Sequence, residues 1–143
     1  MSTVGLNEAL GNLYHHMTDA EENALNSEEF KGISGNDMHI IEAVGIQEPR
    51  SVSSIAKKLS VTVGTLTTNM NGLEKKGYII RERSEQDRRV VLVTLTESGK
   101  KAFHHYRNVQ RDKIKSVVAS LDENEKRQLF KSLMKLNETV GNK

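Results

Sequence analysis

Between residues 51 and 77 the chain runs through a helical period twice, with almost nothing in between. Val52, Ile55, Ala56 and Leu59 mark the inward face of one short helix, opened by Ser51 or Ser53. Leu66, Met70 and Leu73 mark the inward face of a second, from 62 to 76. Only the turn Leu59-Ser60-Val61-Thr62 joins them, and Gly77 stops the second. Helices this short are marginal in isolation and draw their stability from packing. They must therefore cross closely over a common floor: Ala56 is small enough for the crossing, Ile55 and Leu59 form the floor, and Leu66, Met70 and Leu73 hold the second helix down. The opposite face of that second helix is left free.

After Gly77 the period becomes two, in Ile80 to Arg83 and in the β-branched run Val90 to Leu95, with the charged loop Ser84 to Arg89 between them. This reads as a hairpin. Upstream, Leu6, Leu10, Leu13, Tyr14 and Met17 predict a helix from about 5 to 27. Gly32 and Gly35 interrupt it, Ser34 or Asn36 caps a helix carrying Met38, Ile40, Ile41 and Val44, Gly45 ends that helix, and Pro49 lies in a short loop. Downstream, Thr96 caps a long charged helix, 97 to 119, and Asp122 with Glu125 opens a last one holding Leu129, Phe130, Leu133, Met134, Leu136 and Val140. The expected fold is mainly α with a small β-hairpin wing: a winged helix-turn-helix lobe, 31–96, between N- and C-terminal dimerisation helices, 1–30 and 97–143, as one intertwined domain. The outer apolar stripes need another layer, and a symmetric homodimer supplies it.

Composition narrows the function classes. A chain of 143 residues without cysteine has no disulfide framework, no cysteine-type zinc finger and no thiol nucleophile. The first 30 residues lack Lys and Arg and any signal-like apolar run, and nowhere do 18 apolar residues follow one another, so a soluble, cytoplasmic protein with no membrane partner is expected. The net charge of +2 conceals a polar distribution. Residues 1–30 carry six acidic and no basic side chains, 46–90 nine basic and five acidic, and 99–118 six basic and one acidic. A basic middle is the minimum a phosphate-binding surface requires.

On the free face of the second crossing helix stand Gly64, Thr65, Thr67, Thr68, Asn71 and, one turn on, Lys75. Short hydroxyl and amide side chains can reach base edges and thymine methyls in a major groove. Threonine is a mediocre helix former, so a merely solvated face would be built from Lys or Glu instead. Ser51, Ser53 and Thr62 offer hydroxyls or helix N-terminal amides to phosphates. In the wing, Arg81, Arg83, Arg88 and Arg89 fall within nine residues, and arginine at a projecting tip suits a narrow minor groove. Asp87 is expected to pair with Arg81, Arg83 or Arg89 and fix the tip.

The string Asp87-Arg88-Arg89-Val90-Val91-Leu92-Val93-Thr94-Leu95-Thr96, followed by Glu97-Ser98-Gly99, resembles the wing signature of the MarR transcriptional regulators, and Leu73 to Ile79 resembles the exit of their recognition helix. The resemblance implies a homodimer binding double-stranded DNA at a palindromic operator, with Arg89 in the minor groove and a ligand crevice beside the dimerisation helices. Residues 37–45, 62–67 and 83–91 further resemble the subgroup that represses fatty-acid synthesis genes, which implies long-chain acyl-acyl carrier protein as corepressor and no other cofactor. Val63 and Gly72 depart from that subgroup's usual proline and basic residue, the latter removing one expected phosphate contact. Candidate effector-lining residues are Leu13, Met17, Met38, His39, Ile41 and Phe103, and Lys100, Lys101, Arg107 and Arg111 form a basic face for an acidic carrier protein.

Four other readings compete. His15-His16, His39 and His104-His105 raise a zinc sensor, but adjacent histidines diverge by about 100° on a helix, and Met38 and Asn108 occupy positions where zinc-responsive relatives would place ligands. No metal site is expected. A MarR-type response to a phenolic or drug-like ligand stays open. An enzyme is not expected, because there is no Gly-rich phosphate loop and the carboxylates are scattered. A helical pairing module that binds no DNA is separated from a repressor by the salt dependence of duplex binding.

Overall fold

The computed structural model describes residues 2–24, 28–30 and 32–141. They form six helices and three short strands: α1 (Thr3–Ala24), a 3-10 turn (Glu28–Phe30), α2 (Gly35–Val44), β1 (Arg50–Ser51), α3 (Val52–Leu59), α4 (Val63–Lys75), β2 (Ile79–Arg83), β3 (Val91–Leu95), α5 (Glu97–Val118) and α6 (Glu123–Gly141). Two compact units result, dividing between Val109 and Gln110. Among the described residues no helix is long and apolar enough to cross a membrane.

In the first unit, α2 is the helix around which the rest is laid. Met38, Ile40, Ile41, Ala43 and Val44 are all buried, so the helix is apolar nearly all round and needs neighbours on every side. Ser34 caps it through a reciprocal box in which Ser34 Oγ accepts from Asp37 N at 3.0 Å and Asp37 Oδ2 accepts from Ser34 N at 3.1 Å. Ile55 and Ala56 of α3, Leu66, Met70 and Leu73 of α4, Ile79, Val93 and Leu95 of the sheet, and Ala102, Phe103 and Tyr106 of α5 complete one core. Burying a side chain of this kind stabilises by about 1.5–3 kcal/mol. The first half of α5 thus belongs to the same core as the residues between 31 and 96.

The turn between α3 and α4 is closed by backbone alone. Ser60 adopts φ 56°, the left-handed region, and Val61 N donates to the Ala56 carbonyl at 3.0 Å, the six-to-one bond that ends a helix abruptly. Gly77 repeats the device after α4, with φ 85° and Tyr78 N donating to the Leu73 carbonyl at 3.0 Å. The wing is more than the expected hairpin. β1 joins it, so that the sheet runs β1-β3-β2, all antiparallel, with Arg50 opposite Val93 and Ile79 opposite Leu95. Two residues are too few to show any period, which is why β1 leaves no trace in the sequence pattern. The helix expected from about 5 to 27 is described from Thr3 to Ala24, and 25–27 lie outside the described residues.

The second unit comprises the end of α5 and α6. Asp122 and Glu125 form the expected capping box, with Glu125 N donating to Asp122 Oδ1 at 2.8 Å and Asp122 N to Glu125 Oε1 at 3.1 Å. No residue of α6 is buried: Phe130, Leu133, Met134, Leu136 and Val140 are all exposed. In the first unit, α1 likewise exposes Leu6, Leu10, Leu13, Tyr14 and Met17.

Candidate nucleic-acid interface

The polar face of α4 and the wing meet the start of α3 around one open cleft of about 320 Å³. Ser51, Ser53, Thr67, Arg81 and Arg89 line it together with Val63 and other apolar residues. Residues proposed from sequence to contact DNA are therefore gathered from three separate elements. Ser51 caps α3, its Oγ accepting from Ser54 N at 3.1 Å, which settles the choice between Ser51 and Ser53 and leaves Ser53 exposed on the first turn. Thr62 caps α4, accepting from Thr65 N at 3.1 Å and donating to Thr65 Oγ1 at 2.9 Å. Gly64, Thr65, Thr68, Asn71 and Lys75 are exposed along the helix, and Thr67 is half-buried toward the cleft. Thr68 donates to the Gly64 carbonyl at 3.1 Å, which turns its hydroxyl proton inward and leaves its oxygen and methyl outward.

The wing tip is ordered by its own side chains. Ser84 Oγ accepts from Gln86 N and Asp87 N at 3.2 and 3.3 Å, and Ser84 N donates to the Val90 carbonyl at 2.8 Å. Arg83 Nη1 reaches the Arg88 carbonyl at 2.8 Å, so Arg83 braces the tip while Arg88 is exposed. Of the three arginines the sequence offered to Asp87, the partner is Arg89. Its Nε and Nη2 donate to the two carboxylate oxygens at 3.0 and 3.1 Å, and its backbone N to Oδ1 at 3.1 Å. Hydrogen bonds from Arg89 hold the Asp87 carboxyl below its ordinary range, and Asp87 in return raises the Arg89 guanidinium. The Arg89 side chain nevertheless stays 91 % exposed. It is an oriented cation, not a neutralised one.

Arg81 takes a different place from the one its neighbours suggest. Its side chain is 19 % exposed, and it donates to Glu74 Oε1 and Oε2 at 3.2 Å each and to Asn71 Oδ1 at 2.6 Å. Its backbone N also donates to Glu74 Oε2, at 3.1 Å. The guanidinium holds the Glu74 carboxyl below its ordinary range, chiefly through the side-chain hydrogen bond. Arg81 thus ties β2 to the second half of α4 instead of standing clear for DNA. Glu74 is missing from the sequence reading of the site, because an acidic residue beside Lys75 gives no hint of its partner seven positions on.

The effector candidates differ in burial. Met38, Ile41 and Phe103 are core, Leu13 and Met17 are exposed on α1, and His39 is exposed on α2. Of the basic set on α5, Lys100 pairs with Glu97 at 3.4 Å, Arg107 lies 5.0 Å over the Phe103 ring, Arg111 has an interaction of its own, and Lys101 is exposed. His105 stacks on Phe30 at 4.8 Å and His104 meets the edge of Phe103 at 5.6 Å. Among the described residues no three His, Asp or Glu side chains converge as metal ligands would.

The same arrangement recurs in known proteins. The MarR family model matches residues 33–91, from the approach to α2 into β3. The structure of Streptococcus pneumoniae FabT in complex with DNA superposes with a TM-score of 0.91 at 34 % identity, covering 99 % of both chains. The HTH-type transcriptional regulator BilQ of Clostridium symbiosum is 31 % identical over 109 residues, 76 % of each protein. The uncharacterized HTH-type transcriptional regulator YfiV of Bacillus subtilis is 35 % identical over 91 residues, a stretch that spans 64 % of this chain and 57 % of that protein. With a winged helix-turn-helix lobe, a signature match across it and relatives that are transcriptional regulators and not enzymes, the chain belongs to the MarR family.

Proposed function

We propose that the protein is a homodimeric DNA-binding repressor of fatty-acid biosynthesis genes that uses long-chain acyl-acyl carrier protein as corepressor. The observation that carries DNA binding is the cleft at which the α3 cap, Thr67 of α4 and Arg89 come together, in a chain alike over its length to a regulator seen with DNA. Each α4 enters a major groove, where Thr65, Thr67, Thr68 and Asn71 face base edges. Ser51, Ser53 and Thr62 sit against phosphates, and Arg88 and Arg89 reach the flanking minor groove. The exposed apolar stripes of α1 and α6 are the surfaces a second copy covers. A two-fold dimer implies a palindrome with half-sites about 10 bp apart or a little more.

The fatty-acid assignment rests on the resemblance of residues 37–45, 62–67 and 83–91 to that subgroup. The corepressor acts by preferring the spacing of the two α4 helices that fits DNA, and Lys101 with its basic neighbours on α5 offers the acidic carrier protein a docking face. A gel shift on a fatty-acid-gene promoter tests this. Acyl-acyl carrier protein is expected to tighten binding, and no enhancement at any chain length overturns the corepressor assignment. Duplex affinity that does not fall with salt overturns DNA binding itself.

A further inference from the structure

The Arg81 guanidinium touches a side chain on the reading face. Asn71 lies one turn beyond Thr67 on α4, exposed, and its Oδ1 accepts from Arg81 Nη2 at 2.6 Å. A guanidinium has five donors and no acceptor, so the asparagine atom facing it must be the oxygen. The arginine cannot follow a ligand outward, because Glu74 holds it by Nε, by Nη2 and by the backbone N of the same residue. Charge-assisted bonds of this kind are about twice as strong as neutral ones. Nδ2, with two hydrogens, is the Asn71 atom left to face outward.

We propose that Arg81, positioned by Glu74, fixes the Asn71 amide so that it offers DNA a donor, and so selects guanine over adenine at one position of each half-site. A free asparagine reads adenine with both ends, its oxygen accepting from N6 and its nitrogen donating to N7. Here the carbonyl end is held toward Arg81, and the NH₂ end is the one presented to the base. Guanine presents two acceptors side by side, O6 and N7, and suits an NH₂ group, whereas the N6 amino group of adenine finds no acceptor. Arg81 is a positioning residue in this scheme and contacts no base. The inference rests on the DNA-binding reading of the preceding section.

The test is selection of bound duplexes by the full-length protein from a pool randomised across the half-site, comparing wild type, Asn71→Asp and Arg81→Met. Wild type is expected to enrich guanine at one position. Asn71→Asp keeps an acceptor for Arg81 but has no donor, and is expected to lose about tenfold of that preference at that position alone. Arg81→Met frees the amide and is expected to move the same position toward adenine, with the rest of the profile unchanged. Guanine preference retained in Asn71→Asp overturns the proposal, as does a wild-type profile in folded Arg81→Met; if circular dichroism shows Arg81→Met unfolded, Asn71→Asp decides alone. Wild-type protein that binds no duplex overturns the repressor reading and this inference together, and is distinguished by failing before any variant is compared.

Discussion

Thr96 donates its hydroxyl proton to the carbonyl oxygen of Gly77 across 2.6 Å, joining the residue before α5 to the residue that ends α4. The same hydroxyl oxygen accepts from Gly99 N at 3.1 Å and so caps α5, while Thr96 N donates to the Tyr78 carbonyl at 3.1 Å. Gly99 lets the helix approach this closely, since a Cβ there would fall on the Tyr78 carbonyl oxygen. The Thr-Glu-Ser-Gly string is therefore the joint between the reading helix and the helix that follows the wing. A tilt of the first turn of α5 is felt directly at the exit of α4.

Replacing Thr96 by Val keeps the shape and removes both the cap and the bond to Gly77. A loss of about 1–2 kcal/mol is expected in urea unfolding. Gly99→Ala is expected to cost more, about 1–3 kcal/mol or beyond, because the added carbon meets backbone and cannot be relieved by a rotamer change.

At the wing tip, Arg89→Ala is expected to weaken operator binding by about tenfold or more while leaving the unfolding midpoint nearly unchanged, since an exposed pair contributes little to stability. Asp87→Asn leaves the arginine's charge but loosens its aim, and a smaller loss is expected. Titration of a labelled duplex at fixed salt measures both. Equal losses would mean that Asp87 does more than orient Arg89.

The Glu74 carboxyl, held below its ordinary value of 4.5 by Arg81, makes the wing's attachment to α4 sensitive to acid. A depressed pKa contributes stability that is present above the unfolded value and is lost as pH falls through the folded one. Wild type is therefore expected to exceed Glu74→Gln in stability at neutral pH, with the gap closing below about pH 4.5. Urea midpoints of the two proteins across pH 3–7 check the sign. A gap that widens on acidification would contradict the assignment.

Ser60 occupies the left-handed region, where an L residue with a Cβ is disfavoured by about 1 kcal/mol relative to glycine. Ser60→Gly is expected to be neutral or stabilising by up to about 1 kcal/mol, the flexibility it adds to the unfolded chain offsetting part of the relief. DNA affinity is expected to stay unchanged, which a thermal melt and a duplex titration together establish.

Much of this molecule was legible before any coordinates. The two crossing helices, the caps at Thr96 and Asp122, the choice of Ser34 or Asn36 before α2 and the change to a strand period after Gly77 are local properties, carried by residues within a few positions of one another. So was the polar face of α4, because that helix has only one face not occupied by Leu66, Met70 and Leu73. The two-residue strand β1 escaped, since its existence depends on β3 more than forty positions later. Most of the effector candidates are apolar, and apolarity does not separate a crevice wall from the core in which Met38, Ile41 and Phe103 lie.

By itself the sequence determined the helices, the two hairpin strands and the surplus of cations in the reading head, because these follow from side-chain spacing and charge along the chain. Only the tertiary structure decided which cations face outward. Arg81 and Arg89 are both wing arginines with a nearby acid, and their local sequences do not rank them. Docking of β2 against α4 places Glu74 and Asn71 within reach of Arg81 and draws it in, while Arg89, at the tip, finds only Asp87 and remains exposed. The difference lies in which surfaces the fold brings together, a long-range fact that no local pattern carries.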